Sequence, residues 1–271
     1  KSNPDIKGII HFAAFKAVGE SVQKPLAYYR NNFFSLINLL SAYKEASINF
    51  VFSSSCTVYG QPDSLPVTES APVKKAESPY GNTKQIAEEI LAEIASVNKN
   101  YNIVALRYFN PVGAHETALI GELPIGVPQN LVPFITQTAI GKREKITVFG
   151  DDYNTPDGSC IRDYIHVVDL AKAHVAAIKR MEEGKSESNY EVFNIGTGKG
   201  TTVLEIINAF EKSTGQKLNY IIGPRRSGDI EQIFGDATKS SKVLGWTAEL
   251  NVEDMMKSAW EWEKYIAKNP F

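Results

Sequence analysis

Few features of the 271-residue chain indicate a disulfide-stabilised, membrane-spanning or metal-binding protein. Its two cysteines, Cys56 and Cys160, are too few for a disulfide scaffold and are typical of a reducing compartment, so we expect a cytoplasmic protein. No apolar run reaches the roughly eighteen residues of a transmembrane helix, so no membrane partner is predicted. The histidines lack metal-ligand spacing, so no metal is predicted, and His166 and His174 are expected at a helix surface or a helix cap.

An excess of charge of one sign is also missing. The net charge is −2 at pH 7, which gives no global attraction for nucleic acid, so no nucleic-acid partner is expected. Hydrophobic residues make up 43% and charged residues 22% of the chain, which is the composition of a globular protein. By its length the chain forms one large domain or two of ordinary size.

A complete glycine fingerprint for dinucleotide binding is not found. The glycine-rich segment 196–200 follows a predicted strand at 191–195 and precedes a helix opened by the capping-box residues Thr202 and Glu205. A G-x-G-x-x-G fingerprint beginning at Gly196 requires glycine at position 201, where this chain has threonine. We therefore interpret the segment as a glycine turn, with nucleotide binding as the alternative.

The chain does contain a regular alternation of strand and helix patterns. Three apolar segments, 8–13, 49–55 and 102–108, are predicted as strands, and helical patterns at 22–47 and 79–97 separate them. This order predicts parallel strands with right-handed crossovers, that is, an α/β fold with a doubly wound, Rossmann-type sheet whose ligands bind beyond the carboxyl ends of the strands. Further helices are predicted at 130–140, 169–179 and 252–267, and a further strand at 146–149.

The most informative motif is a tyrosine followed four residues later by a lysine, Tyr80 and Lys84. Residues four apart share one face of a helix, so the ammonium can lie near the phenol and lower its pKa from about 10 by one to a few units. Ser78 as N-cap and Pro79 in the first turn place Tyr80 at a helix start. With the three serines at 53–55 ending a strand, the pattern predicts a general base beside hydroxyl groups. An ordinary surface pair with the same spacing is the alternative.

Longer strings around this motif resemble the UDP-glucose 4-epimerases of the extended short-chain dehydrogenase/reductase group. They read FSSSCTVYG at 52–60, SPYGNTK at 78–84 and LRYFNPVGAH at 106–115. The resemblance runs from FAAFKAVGES at 12–21 through RDYIHV at 162–167 to PRRSGD at 224–229. It implies an NAD-dependent enzyme of galactose metabolism that interconverts UDP-glucose and UDP-galactose, oxidising C4 to a 4-keto sugar and reducing it again from the opposite face.

The resemblance also implies roles for individual residues. Tyr80 is implied as the base, Lys84 as its electrostatic partner, and Ser55 as a hydroxyl relay to the sugar. The residues implied to line the NAD site are Phe12, Ala13, Lys16, Asn31, Ser55, Tyr80, Lys84 and Phe109. The residues implied around the UDP-hexose are Asn110, Asn130, Leu131, Phe149, Arg162, Arg226 and Asp229. Arginine suits that position because it can meet a diphosphate with paired hydrogen bonds.

A division of the chain follows from the same resemblance. Residues 1–110 are expected to form a partial NAD-binding Rossmann domain on which 161–198 packs back, and 111–160 with 199–271 a smaller C-terminal α/β lobe for the UDP-sugar. A homodimer is a family expectation. Ile233 matches a position of variable size near the 2-substituent of the sugar, and its medium bulk leaves the acceptance of N-acetylated sugars open.

The start of the chain departs from the family pattern. Family members begin with a strand and a glycine-rich turn that holds the NAD pyrophosphate, whereas this chain begins at Lys1 and reaches a core strand by Gly8. We therefore expect an N-terminally truncated sheet, belonging to a fragment that is inactive as given. One alternative is a non-catalytic UDP-sugar-binding protein. Another is a nucleotide-sugar dehydratase or decarboxylase, but its extra carboxylic acid is missing at Cys56 and Thr57.

Overall fold

The computed structural model describes residues 5–226 and 229–270. The chain start at Lys1, and Ser227 and Gly228 within the 224–229 string, lie outside the described residues. The strands are β1 (Gly8–His11), β2 (Ile48–Ser55), β3 (Tyr101–Tyr108), β4 (Asn110–Val112), β5 (Ile146–Phe149), β6 (Ile161–Arg162), β7 (Tyr164–His166), β8 (Tyr190–Ile195), β9 (Thr201–Thr202), β10 (Tyr220–Gly223) and β11 (Gln232–Ile233). The helices are α1 (Val18–Gln23), α2 (Pro25–Ala42), α3 (Pro79–Val97), α4 (Leu131–Ala139), α5 (Val167–Glu182), α6 (Val203–Thr214) and α7 (Val252–Lys268), with a 3₁₀ turn (Cys56–Tyr59) and a π-helical turn (Ser240–Leu244).

The chain divides into two compact units. The first comprises residues 1–108, 172–195 and 236–246, and the second comprises 109–171, 196–235 and 247–271. Among the described residues, no helix combines the length and the apolar character needed to cross a membrane.

The first unit is built on a parallel sheet with the strand order β1-β2-β3-β8. Helices α2 and α3 pack on this sheet through an apolar core that includes Leu36, Phe50, Leu91 and Ile103, each fully buried. Because all paired strands run the same way, their carboxyl ends lie along one edge of the sheet. The predicted α/β class with a Rossmann-type parallel sheet is therefore confirmed.

Local sequence signals explain where the helices of the first unit begin. Helix α3 has the predicted bounds, with Pro79 in its first turn and the Ser78 hydroxyl accepting the Gly81 N–H at 3.1 Å. The helical pattern predicted at 22–47 is confirmed over Pro25–Ala42, but its start is wrong, because α1 ends at Gln23 and α2 begins at Pro25. Proline has no N–H to continue a helix but fits the first turn of a new one.

The two histidines near α5 are both buried. The Nδ1 of His166 accepts the Val168 N–H at 3.1 Å where α5 begins, which confirms the expected capping role. The expected surface position of His174 is wrong, since its side chain is 2% exposed and its ring lies 4.6 Å from that of Phe12. The buried face of α5 therefore includes His174, a polar residue whose type alone suggested a surface position.

The core of the second unit lies around α6 and α7. Met255 and Met256 are fully buried, and the Trp260 ring packs edge-on against Phe210 at 5.8 Å, so α7 packs into this core. The predicted capping box of α6 is also confirmed. Its Thr202 hydroxyl accepts the Glu205 N–H at 3.0 Å, and the Glu205 carboxylate accepts the Thr202 N–H at 2.7 Å.

The fold gives a direct test of core packing on α2. We expect Leu36→Ala to lower the free energy of unfolding by about 2–5 kcal/mol, because Leu36 is 0% exposed and its removal leaves a cavity. Leu26→Ala on the same helix is the matched control, with an expected change within about 0.5 kcal/mol, because Leu26 is 82% exposed. Urea unfolding measures both, and equal losses for the two variants would contradict this description of the core.

Candidate active site

The proposed catalytic residues meet at the carboxyl edge of the first unit's sheet. Tyr80, in the first turn of α3, lies close enough to Ser55, the last residue of β2, for the serine hydroxyl to act on the pKa of its phenol. One helical turn later, Lys84 Nζ donates to the carbonyl oxygen of Ser53 at 2.6 Å. The same Nζ lies 4.8 Å from the ring centroid of Phe52 and 5.9 Å from that of Tyr80. The structure thus brings Tyr80, Lys84 and Ser55 together.

The electrostatics of Tyr80 differ from the sequence-based expectation. Burial raises the pKa of its phenol, and the neighbouring Tyr108, Cys56 and Tyr28 add to this rise, while the hydrogen bond from Ser55 opposes it. The expected lowering by Lys84 is wrong for the chain alone, because the ammonium bonds the Ser53 carbonyl rather than the phenol oxygen. Desolvation therefore outweighs the nearby cation at this phenol.

Lys84 is itself perturbed by its surroundings. Its side chain is 5% exposed, and burial lowers its pKa to about 8, while the charge of Glu88 opposes that lowering. An ammonium whose pKa lies near 8 changes its protonation within the pH range in which enzymes work. The charge of Lys84 is thus a variable of the site rather than a constant.

Asn32 holds the loop that follows β1. Its side-chain oxygen accepts the Phe15 N–H at 2.8 Å, and its side-chain nitrogen donates to the Phe15 carbonyl at 3.1 Å and to the Thr83 hydroxyl at 3.0 Å. The Thr83 hydroxyl in turn donates to the Tyr80 carbonyl at 2.7 Å. Sequence reasoning missed Asn32, although it interrupts the apolar α2 stripe formed by Tyr28, Leu36 and Leu40 at four-residue spacing.

The residues predicted to line the cofactor site in the first unit lie around this loop. Phe12 is 55% exposed beside the end of β1, and Ala13 and Lys16 are exposed in the loop. Asn31 donates from its side-chain nitrogen to the side-chain oxygen of Asn32 at 3.0 Å. An exposed aromatic ring next to amide, hydroxyl and ammonium donors suits a ligand that has both flat rings and sugar hydroxyls. The described residues contain no group of three or more His, Cys, Asp or Glu that could hold a metal ion.

In the second unit, three of the predicted substrate residues are in direct contact. The Arg226 guanidinium bonds both carboxylate oxygens of Asp229, with a shortest distance of 2.8 Å. It also lies 5.4 Å from the ring centroid of Phe149, which is 41% exposed at the end of β5. The ion pair uses Nε and Nη2 of a group that has five N–H donors, so Arg226 remains chemically suited to a further anion.

The other predicted substrate residues occupy separate places in the second unit. Asn130 donates to Glu122 at 2.8 Å immediately before α4, whose first residue is Leu131. Arg162 on β6 donates to the Ile161 carbonyl at 2.8 Å, and its register partner on β11 is the buried Ile233. Asn110 begins β4 opposite Tyr164 of β7. The ring of Phe109, predicted for the cofactor site, is 3% exposed and packs against Gly196 and Gly235, where a Cβ would lie within about 3 Å of it.

Asp163 is a second residue that sequence reasoning missed. Its carboxylate is fully buried and accepts N–H groups of Thr197 at 2.9 Å, Gly198 at 3.2 Å and Gly235 at 3.4 Å. Burial raises its pKa although these bonds oppose the rise. The carboxylate occupies the amides that a phosphate would need, which supports a glycine turn rather than nucleotide binding at 196–200.

Comparisons with known proteins agree with this geometry. Residues 2–259 match the family model described as GDP-mannose 4,6 dehydratase. The chain is 48% identical over 271 residues to UDP-glucose 4-epimerase 1 of Oryza sativa subsp. japonica, covering 100% of this chain and 75% of that relative. UDP-glucose-4-epimerase from Stenotrophomonas maltophila, solved with bound NAD and formylated UDP-arabinopyranose, matches with a TM-score of 0.93 at 46% identity, covering 97% of this chain and 77% of that one.

A second solved structure gives the same result. UDP-glucose 4-epimerase from Bifidobacterium longum, in complex with NAD+ and UDP, matches with a TM-score of 0.91 at 48% identity, covering 99% of this chain and 78% of that one. The parallel sheet and these matches define a nucleotide-sugar enzyme of the short-chain dehydrogenase/reductase type. Within that class, the chain belongs to the UDP-glucose 4-epimerase family. The resemblance seen in the sequence is confirmed.

The buried His11 beside this site gives a pH-dependent stability. Burial and the charge of Lys84 lower the pKa of His11 to about 4, against about 6.5 in an unfolded chain. Between these values the unfolded chain binds a proton that the folded chain does not, so the free energy of unfolding falls as the pH drops from about 6.5 to 4.

His11→Phe keeps an aromatic ring next to Phe50 and Phe52 and should therefore flatten this pH dependence. Urea unfolding at several pH values between 4 and 7 measures it. Carboxylates contribute equally to both proteins, so the difference between the two slopes isolates His11. Identical slopes would show that His11 is protonated as readily in the fold as outside it.

Proposed function

We propose that the protein is an NAD-dependent UDP-glucose 4-epimerase that interconverts UDP-glucose and UDP-galactose. The observation that carries this proposal is the convergence of Tyr80, Ser55 and Lys84 at the carboxyl edge of a parallel sheet. Membership of a family whose relatives bear that name supports the same reaction. We assign NAD to the first unit and the UDP group to the second.

The residues of the first unit fit the cofactor. The half-exposed ring of Phe12 offers an apolar face, and Asn31, Lys16 and Lys84 offer donors for hydroxyl and phosphate oxygens. Lys84 donates one bond, to the Ser53 carbonyl, and an ammonium has three donors. Ala13 lies in the same loop, and Phe109 is assigned to the cofactor by resemblance alone. When bound, NAD supplies the chemistry of accepting a hydride from C4 of the sugar and returning it.

The chain itself moves the proton. Tyr80, as phenolate, would take the proton of the sugar 4-hydroxyl, with the Ser55 hydroxyl as a relay. Together with the loss of the C4 hydride to the NAD that these residues would hold, this leaves a 4-keto sugar. The same phenol returns the proton to the 4-oxygen when the opposite face of C4 is reduced, so no net oxidation occurs. Because burial raises the pKa of Tyr80, the phenolate requires positive charge nearby. Lys84, whose Nζ lies 5.9 Å from the Tyr80 ring centroid, is proposed to supply part of that charge when substrate and cofactor are bound, although it does not lower the pKa of the phenol in the chain alone.

The second unit is proposed to hold the UDP group. Arg226 and Arg162 would meet the negative diphosphate, where charge-assisted hydrogen bonds are stronger than neutral ones. Asp229 orients Arg226 from one side, and the exposed Phe149 ring offers a stacking surface next to it. Asn110, Asn130 and Leu131 complete the proposed set by resemblance.

The name of the matching family model favours a second candidate, a nucleotide-sugar dehydratase. That reaction needs a carboxylic acid beside the hydroxyl relay, and the residues after Ser55 are Cys56 and Thr57. Mass spectrometry of the product separates the two reactions, since epimerisation leaves the mass of the UDP-hexose unchanged and dehydration removes water.

The same proposal includes the setting of the enzyme. Both cysteines are free and buried, which suits a reducing compartment, and we assign the cytoplasm. We also propose a homodimer through the outer face of α2, where Phe34 is 56% and Ile37 is 43% exposed. Light scattering of the protein and of a Phe34→Glu variant would test this, and a monomeric parent protein would exclude it.

Replacing the proposed base tests the reaction most directly. Tyr80→Phe, in the protein at its natural length, should lower kcat for UDP-galactose by about 10²–10⁴-fold, because the phenol oxygen is lost and the ring stays. The measurement is conversion to UDP-glucose at saturating substrate. Tyr101→Phe is the matched control. It removes a buried phenol that donates to the Leu40 carbonyl on α2, so it should cost stability and leave kcat unchanged. Wild-type turnover in Tyr80→Phe would refute the assignment.

The UDP assignment is tested separately, by binding alone. Arg226→Gln should weaken UDP about 10- to 100-fold in calorimetric titration, because a charge-assisted contact to phosphate contributes about 1.5–3 kcal/mol. Arg143→Gln, which removes another guanidinium stacked on a ring of the second unit, at 4.4 Å from Phe134, should bind UDP like the parent protein. Equal losses in the two variants would indicate a general charge effect instead of a site.

A further inference from the structure

A buried carboxylate lies one turn beyond Lys84 on the same helix. Glu88 is 6% exposed, and Arg107 of β3 bonds both of its oxygens, with Nη2 at 2.6 Å and Nε at 3.0 and 3.2 Å. The guanidinium of Arg107 also lies 4.9 Å from the ring centroid of Tyr59. Both partners are thus removed from water and held in one geometry.

The strand that carries the serines is attached to the same carboxylate. The hydroxyl of Ser54 donates to Glu88, and the Tyr190 hydroxyl of β8 donates to it at 3.3 Å. Ser54 stands between Ser53, whose carbonyl accepts from Lys84, and Ser55, whose hydroxyl lies near enough to Tyr80 to affect the pKa of its phenol. Glu88 therefore connects α3 to the end of β2 at Ser54. The residues on either side of Ser54, Ser53 and Ser55, are the two that lie next to Lys84 and Tyr80.

The charges around Lys84 single out Glu88. The Lys84 ammonium is faced from α3 by Tyr80 and Glu88. It is faced from β2 by the Ser53 carbonyl and the Phe52 ring, and from β1 by His11. On β3, Tyr108 bonds the Ser53 hydroxyl, and Arg107 is engaged with Glu88. Both Tyr108 and Tyr80 are neutral at pH 7, because burial raises the pKa of each phenol. His11 is neutral as well, which leaves Glu88 as the negative charge of this described set.

We propose that Glu88 is a positioning residue for catalysis, which keeps Lys84 protonated and fixes the Ser53–Ser55 strand end against α3. The inference rests on the proposed function for the role of Lys84 as electrostatic partner of the base. The arrangement around Glu88 itself is independent of that role. Arg107 and Ser54 act through Glu88, because they fix the orientation of its carboxylate.

A purely structural ion pair is the simplest competing explanation, and the chain contains one for comparison. Arg180 and Glu191 form a second buried bidentate pair in the first unit, with both distances at 2.9 Å and side-chain exposures of 8% and 5%. The Arg107 and Glu88 side chains have exposures of 7% and 8%. The two pairs are alike in burial and geometry, but Glu88 is four residues from Lys84 on one helix, whereas Glu191 is on β8.

The test is an NMR titration of ¹³Cε-labelled lysine in the protein, with the Lys84 signal assigned from its loss in Lys84→Arg. In Glu88→Gln we expect the pKa of Lys84 to fall about one to two units below that of the parent protein, because the attractive charge is gone and Arg107 is left unpaired. Glu88→Asp keeps the charge and should return at least half of the shift. Turnover should follow, with the basic limb of the kcat profile moving to lower pH.

Glu191→Gln is the matched control, and we expect it to lower the melting temperature with the Lys84 titration unchanged. If Glu88→Gln fails to fold, Glu88→Gln/Arg107→Gln removes both charges together and leaves no unpaired ion, with a smaller downward shift of the Lys84 pKa expected because the repulsion from Arg107 is gone as well. A Lys84 titration that stays within about 0.3 units of the parent in folded Glu88→Gln, or in the double variant if Glu88→Gln does not fold, would overturn the proposal. The titration needs no substrate, so it can fail or succeed independently of the epimerase assignment.

Discussion

Parallel pairing of β1, β2, β3 and β8 is the constraint on which the rest of the first unit depends. Strands that run the same way end at the same edge, so the loop after β1, the serines of β2 and the start of α3 are neighbours without any long-range signal in the sequence. A capped helix start then sets the position of Tyr80 within about a residue. The chemistry of the site is thus fixed by backbone geometry before any side chain makes a specific contact.

Desolvation is the second physical term that shapes the site. It raises the pKa of Tyr80, lowers that of Lys84 and lowers that of His11, so each titratable group is shifted toward its neutral form. The buried Glu88 and Arg107 pair shows how the same fold can also hold charges in the interior, by satisfying each oxygen with a donor.

The sequence predicted the structure best at positions where a residue type has one main structural role, such as a helix cap. Ser78 and Pro79 predicted the start of α3 correctly, and the capping box predicted the start of α6, because these signals act within a single turn. The break before Pro25 follows from the same rule, although the apolar spacing of 22–47 by itself indicates one continuous helix. Asn32 and Asp163 could not be found in this way, because their importance arises from partners far away in the chain. The direction of the Tyr80 pKa shift could not be predicted from the sequence either. Residue spacing shows that a cation is near the phenol, but not how strongly burial desolvates it.

The buried Asp163 also affects how the loops that it holds in the second unit can move. A single carboxylate collects amides from the 197–198 turn and from Gly235, and its own backbone carbonyl accepts the Asn110 N–H at 3.0 Å. The 197–198 turn and the Gly235 segment donate to the same carboxylate. Moving one of them away alone is unfavourable, because the buried charge of Asp163 then has too few hydrogen-bond donors. We therefore expect these two loops to open together, as one cooperative unit, in local unfolding of the protein.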